Sequence, residues 1–141
     1  MLRFFFVLAV GIWLGTVVCF SFLVLPTIHR VSAPGDATRL LRQLFQRYYV
    51  TGIACGFAAL AIVSLARSAG AVPLPEALRL ALPVAGGLLC SLLAQYVVQP
   101  RIRAAHDGSP ERYERLHRVA TMLNTTVLAL LLLAVAGAVM R

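Results

Sequence analysis

Four runs of apolar residues divide the chain. The first extends from Phe4 to Leu25 and ends at Pro26, and the second extends from Tyr48 to Ala66 and stops at Arg67. Gly70, Pro73 and Pro75 follow closely and predict a turn. The third begins between Glu76 and Arg79 and continues to Val98, with Pro83 in its first turns and Pro100 at its end. The fourth runs from Val119 to Met140. A helix needs roughly 20 apolar residues to cross the hydrocarbon core. The pattern therefore predicts four spans, at approximately 4–25, 48–66, 78–98 and 119–140, in a single transmembrane domain covering 1–141. Pro83 is expected to kink the third helix or to mark its true start. The first run is too long for a signal-peptide core, it lacks a small-x-small cleavage site, and Val18 precedes Cys19 where a lipoprotein site would carry a small residue. It is expected to remain as a mature span.

The segments between spans one and two and between spans three and four carry a different periodicity. After Asp36, a predicted N-cap, Leu40, Leu41, Leu44, Phe45 and Tyr48 share one helical face while Arg39, Arg42, Gln43 and Gln46 take the other. In the later segment Ser109 caps, Pro110 suits the first helical position, Glu111 favours the positive end of the dipole, and Tyr113, Leu116, Ala120 and Leu123 form the apolar stripe. Both read as short interfacial helices. The two halves repeat the order span, proline, basic turn, amphipathic basic helix, span, with Pro26 matching Pro100 and Arg47 approximately matching Arg118. The predicted fold is an all-α integral membrane four-helix bundle, made of two helical hairpins in a parallel repeat about an axis along the membrane normal.

Composition narrows the class further. With 60% hydrophobic residues, 13% charged residues and a mean hydropathy of +0.86, a soluble domain is excluded, and four spans leave no room for a nucleotide-binding fold. The net charge of +8 rests entirely on arginine. Nine of the 13 arginines lie in the segments after spans one and three, so those segments are expected in the cytoplasm with both termini outside. Short basic loops beside apolar spans meet lipid and not nucleic acid. His29, Arg30, Arg47, Arg101, Arg103, His117 and Arg118 are the expected contacts to anionic headgroups.

Candidate chemistry within the spans is sparse. No catalytic triad, phosphate-binding glycine loop, paired carboxylate or HExxH occurs, and no acid lies inside a span, so an enzyme or a proton-coupled antiporter is not expected. Cys19, Cys55 and Cys90 lie six, seven and eight residues from the basic ends of their spans, a common depth of about 9–12 Å. With Met122 slightly shallower, they are candidate soft ligands for Cu(I) or another thiophilic ion, set against the plainer reading of buried packing residues. Gln95, Asn124, Thr51 and Thr125 are candidates for a polar vestibule; alternatively the amides bond across helices and the threonines bond their own backbones. Gly11 with Gly15, and Gly52 with Gly56, form two GxxxG pairs expected to pack helices within the bundle, or to face a second copy or a larger membrane complex. Cys19 continues the first pair by another four residues, which places it at the same helix contact.

Taken in order, Gly15 through Phe20, Phe22 and Pro26, then Leu44 to Tyr49, Pro100 to Arg103, Leu116 to Arg118 and Asn124, resemble the transmembrane protein 205-like family. The likeness covers nearly the whole chain, through short motifs whose order and spacing carry it. A looser likeness runs to copper-resistance protein D-like membrane proteins, from which this chain departs in having no histidine near the middle of a span. The resemblance implies a multi-pass bacterial-type inner-membrane protein without a settled activity or known cofactor. It also implies soft metal ions or metal compounds as the ligands to expect; the competing expectation is a structural or accessory subunit.

Overall fold

The computed structural model describes residues 1–31, 34–106 and 110–140, without the side chains of 29, 31, 34–39 and 106. The expected cap Ser109, and the side chains of His29, Asp36 and Arg39, lie outside this description. Asp36 is not the N-cap expected of it, because α3 already begins at Pro34, whose fixed φ suits a first helical turn. The first apolar run forms α1 (Leu2–Cys19), a π-helical turn (Phe20–Val24) and α2 (Leu25–Val31) in direct succession. The second lies in α3 (Pro34–Ser68). The third forms α4 (Leu74–Leu93), a second π-helical turn (Ala94–Val98) and α5 (Gln99–His106), and the fourth lies in α6 (Pro110–Val139). Four helices, Leu2–Ile28, Leu40–Ser68, Leu74–Ala105 and Pro110–Val139, are long and apolar enough to cross a membrane.

Two expectations about helix ends need correction. The amphipathic segments are not separate interfacial helices, because α3 and α6 run unbroken from the amphipathic stripe into the apolar span. Neither segment contains an internal proline or glycine that would force a break, so hydrogen bonding propagates once the first turn has formed. Pro26 and Pro100 likewise do not end their helices. Each follows a π-helical turn whose last bond is a wide one, from the Leu25 N–H to the Phe20 carbonyl in the first case and from the Gln99 N–H to the Ala94 carbonyl in the second. Proline lacks an N–H and its ring crowds the carbonyl four residues back, and a π turn widens the helix where that room is needed. The two turns lie 74 residues apart, as do the two prolines. Pro83 stands inside α4, which begins earlier than the sequence pattern predicts, at Leu74, with Pro73 as N-cap.

The turn at Gly70 forms as predicted. Gly70 takes φ +70°, a left-handed conformation open to glycine, and there α3 closes with the Gly70 N–H on the Arg67 carbonyl at 3.1 Å and the Ala71 N–H on the Ala66 carbonyl at 3.0 Å. The helices pack as a ring in which α1 touches α3 and α6, and α4 touches α3 and α6. Arg3 and Glu76 form an ion pair that joins the starts of α1 and α4 at the end away from the arginine-rich segments.

Trp13 lies at the centre. A Cβ added to Gly52 would stand 2.6 Å from its Nε1, one on Gly56 2.9 Å from Cζ3, and one on Gly87 3.4 Å from Cη2. The indole thus fills a cradle of three glycines from α3 and α4, with Val10, Val17, Val84 and Leu131 buried in the same core. Outside this core the bundle is apolar: only 22–39% of the residues in the four apolar windows are buried within it. A surface of that kind suits lipid, which forms no hydrogen bonds and needs none from the side chains it touches.

Candidate functional site

At the arginine-rich end the helices of the ring separate around a cavity of ≈720 Å³. The first π turn supplies Phe20, Ser21 and Phe22, α3 supplies Leu41, Arg42, Phe45, Tyr48 and Tyr49, α5 supplies Gln99, Ile102 and Arg103, and α6 supplies residues from Tyr113 to Leu128. The floor is aromatic. Phe20 packs on Tyr48 with ring centroids 4.7 Å apart and on Phe45 at 4.8 Å, and Tyr48 meets Tyr49 edge-on at 4.9 Å.

A hydrogen-bond chain crosses this floor. The Tyr48 hydroxyl donates to Asn124 Oδ1, and Asn124 Nδ2 donates to Ser21 Oγ at 2.9 Å. One amide thereby ties α3, α6 and the first π turn together. Beside it, Gln99 and Tyr49, both buried, also line the cavity. The rim is basic: Arg42, Arg103 and His117 line it and are exposed, His117 lies parallel to Tyr113 with ring centroids 6.0 Å apart, and among the described residues no lining residue is acidic.

The structure sorts the residues that the sequence nominated. Asn124 and Thr125 line the cavity, whereas Gln95 and Thr51 do not. Thr51 is exposed because α3 turns Tyr48, Tyr49 and Gly52 inward, and Gln95 keeps a buried Oε1 that has no hydrogen-bond partner among the described residues. Asn124 finds the interhelical partners that an amide in hydrocarbon needs. Thr121, Thr125 and Thr126 bond the carbonyls four residues back, at 3.0, 3.0 and 2.9 Å. Arg30, Arg47, Arg101 and Arg118 are exposed at the same end of the bundle.

The sulfur layer does not assemble. Cys19 is exposed, Cys55 and Cys90 are half-buried against the core, and Met122 is 62% exposed. Among the described residues no three His, Cys, Asp or Glu side chains form a group able to hold a metal ion. Equal depth fixes a height along the bundle but not a direction around each helix axis. Gly11 and Gly15 correct the packing expectation for the same reason, since both are exposed and a Cβ on either would meet nothing within 4 Å. Gly52 and Gly56 do pack within the bundle, as predicted.

Sequence reasoning missed the aromatic floor and the place of Gln99 in the lining. A signal was present: two adjacent tyrosines at a predicted membrane boundary carry hydroxyls that need partners. Arg42 and Tyr113 were legible as parts of amphipathic stripes, without any indication that the stripes enclose a space.

Fold and site together define a multi-pass, all-helical membrane protein with a largely apolar cavity, rimmed by arginine, at its basic end. The chain belongs to the family of a domain of unknown function, DUF4149, whose match covers residues 8–111 and so takes in most of the first span, the second and third spans and the start of α6. Neither a curated protein nor a solved structure matches the chain.

Proposed function

We propose that the protein is a non-enzymatic inner-membrane protein that binds, and lets pass, a small ligand through a vestibule open to the cytoplasm. The observation that carries this reading is the ≈720 Å³ cavity, within the size range of small-molecule sites, with the Asn124 network in its floor. The arginine excess at its rim supports the cytoplasmic assignment and, with it, a topology that has both termini outside. Among the described residues the lining holds no carboxylate and no cysteine, and the Ser21 and Tyr48 hydroxyls are engaged by Asn124, which favours binding over covalent chemistry. A soft metal ion would find no sulfur there, so the ligand proposed is organic. The equal spacing of the two π turns and the two prolines supports an arrangement as two parallel hairpins.

Native mass spectrometry of gently extracted protein tests the vestibule. The parent should carry a bound small molecule that is lost in Ala120→Trp, whose indole would occupy the cavity. Adducts that simply mirror bulk lipid, unchanged in Ala120→Trp, would count against it.

The outward face of Gly11 and Gly15 favours a second, compatible reading in which α1 packs on a helix of another copy or of a larger membrane complex. Bulky substitution at Gly15 should then dissociate an oligomer that survives extraction.

A further inference from the structure

We infer that the vestibule takes an anionic amphiphile, its oxyanion head held between Arg42 and Arg103 and its apolar tail laid against the aromatic floor, admitted sideways from the bilayer between the first π turn and α6. This rests on the reading of the cavity as a ligand site and names the class of ligand. Three observations converge on it.

The first is charge. Arg42 and Arg103 reach the cavity from two different helices, and among the described residues no lining residue is acidic and the ion pair formed is Arg3–Glu76 at the other end of the bundle. Two guanidiniums at the edge of a low-dielectric space with no carboxylate among its described lining residues are matched by an oxyanion, which each can engage through two parallel N–H donors. The second is the floor. Phe20, Phe45 and Leu128 offer an apolar chamber that a hydrated inorganic anion would not use. The third is access. Phe22 and Thr125 line the cavity yet stand exposed on the bundle flank, at the seam where α1 and α6 touch less than the other neighbouring helices do. A ligand already dissolved in the bilayer reaches the cavity through that seam with its tail never entering water, and its head comes to rest at the cationic rim.

The test uses the full chain in a neutral detergent, titrated with lysophosphatidic acid, with lysophosphatidylcholine of the same chain length, and with inorganic phosphate. Bound ligand is read by native mass spectrometry. Lysophosphatidic acid should bind one to one, at least about tenfold tighter than lysophosphatidylcholine, the smallest preference two charge-assisted contacts should give. Arg42→Gln with Arg103→Gln should remove that preference, Ala120→Trp should abolish binding, and Arg67→Gln at the opposite end should change nothing. Unaltered thermal unfolding of the double variant would show that the lost preference reflects the site and not the fold.

Equal affinity for the two lysolipids would overturn the oxyanion assignment while leaving the cavity a ligand site for a neutral molecule. Phosphate binding as tightly as lysophosphatidic acid would overturn the tail assignment. Lysophosphatidic acid binding that persists in Ala120→Trp would place the lipid on the outer surface and overturn the proposal. If none of the three probes binds saturably, the vestibule reading fails with it.

Discussion

Gly11 with Gly15 and Gly52 with Gly56 are the same motif at the same spacing on two neighbouring helices, and they meet opposite fates. On α3 the pair faces inward and receives the Trp13 indole. On α1 the pair faces out of the bundle and meets nothing. The difference comes from what shares each helix with the glycines. Phe6, Val10, Trp13 and Val17 form one stripe of α1, all buried, and the glycines lie on the opposite side. A helix cannot turn both stripes toward one partner. The bulky stripe wins because an indole seated over glycine backbone gains many dispersion contacts at once, whereas two glycines by themselves bring little surface. GxxxG therefore marks a place where another group can come close, and the rest of the helix decides what comes.

Substitutions on the two faces test this contrast directly. The largest effect is expected for Gly56→Leu: even a Cβ there would stand 2.9 Å from Trp13 and 3.0 Å from Leu88 Cδ1, so the bundle should lose about 3 kcal/mol, the upper part of the range for overpacking. Thermal unfolding in detergent, followed by size-exclusion chromatography, would measure it, and wild-type stability would show that the cradle is not tight.

Trp13→Ala should cost nearly as much, about 2–3 kcal/mol, because a cavity opens while lipid is as apolar as the lost environment. The two changes share one volume. Gly56→Leu in the Trp13→Ala background should therefore cost much less than it does alone, and strict additivity in that double-mutant cycle would refute the cradle.

Asn124→Leu comes next, at about 1 kcal/mol, the scale of hydrogen bonds between helices in a membrane. It frees both Ser21 and Tyr48, so a subsequent Ser21→Ala should add almost nothing. The smallest effect belongs to the outward pair. Gly11→Leu and Gly15→Leu should leave the unfolding of the isolated bundle within about 0.5 kcal/mol of the parent. A loss as large as that of Gly56→Leu would mean that α1 is rotated from the orientation described.

Several features could be read from residues alone because their physics is local. Four apolar runs of spanning length become four long helices, since a backbone in hydrocarbon must bond to itself. Gly70 before two prolines becomes a left-handed helix end, and threonines in α6 bond their own helix. Asn124 had to find partners for the same reason. The continuity of α3 and α6 was less legible, because an amphipathic stripe beside a span is compatible both with a helix lying in the interface and with one extending the span. Pro26 and Pro100 were misread as ends because proline removes one hydrogen bond, and a π turn provides the extra room without ending the helix.

The sequence by itself determined the number of spans, the apolar exterior, the basic end and the need of buried polar groups for partners, because each depends on a residue's own chemistry or on that of its near neighbours in the chain. Only the tertiary structure decided which way each helix faces. That rotation, set by how side chains from four helices fill a common volume, turned Cys19 and Gly11 outward and placed Trp13 over Gly52. It also drew Ser21, Tyr48 and Asn124 together from distant parts of the chain, and left a cavity beneath Arg42 and Arg103. Spacing along one helix fixes which residues share a face, but not which neighbour that face meets.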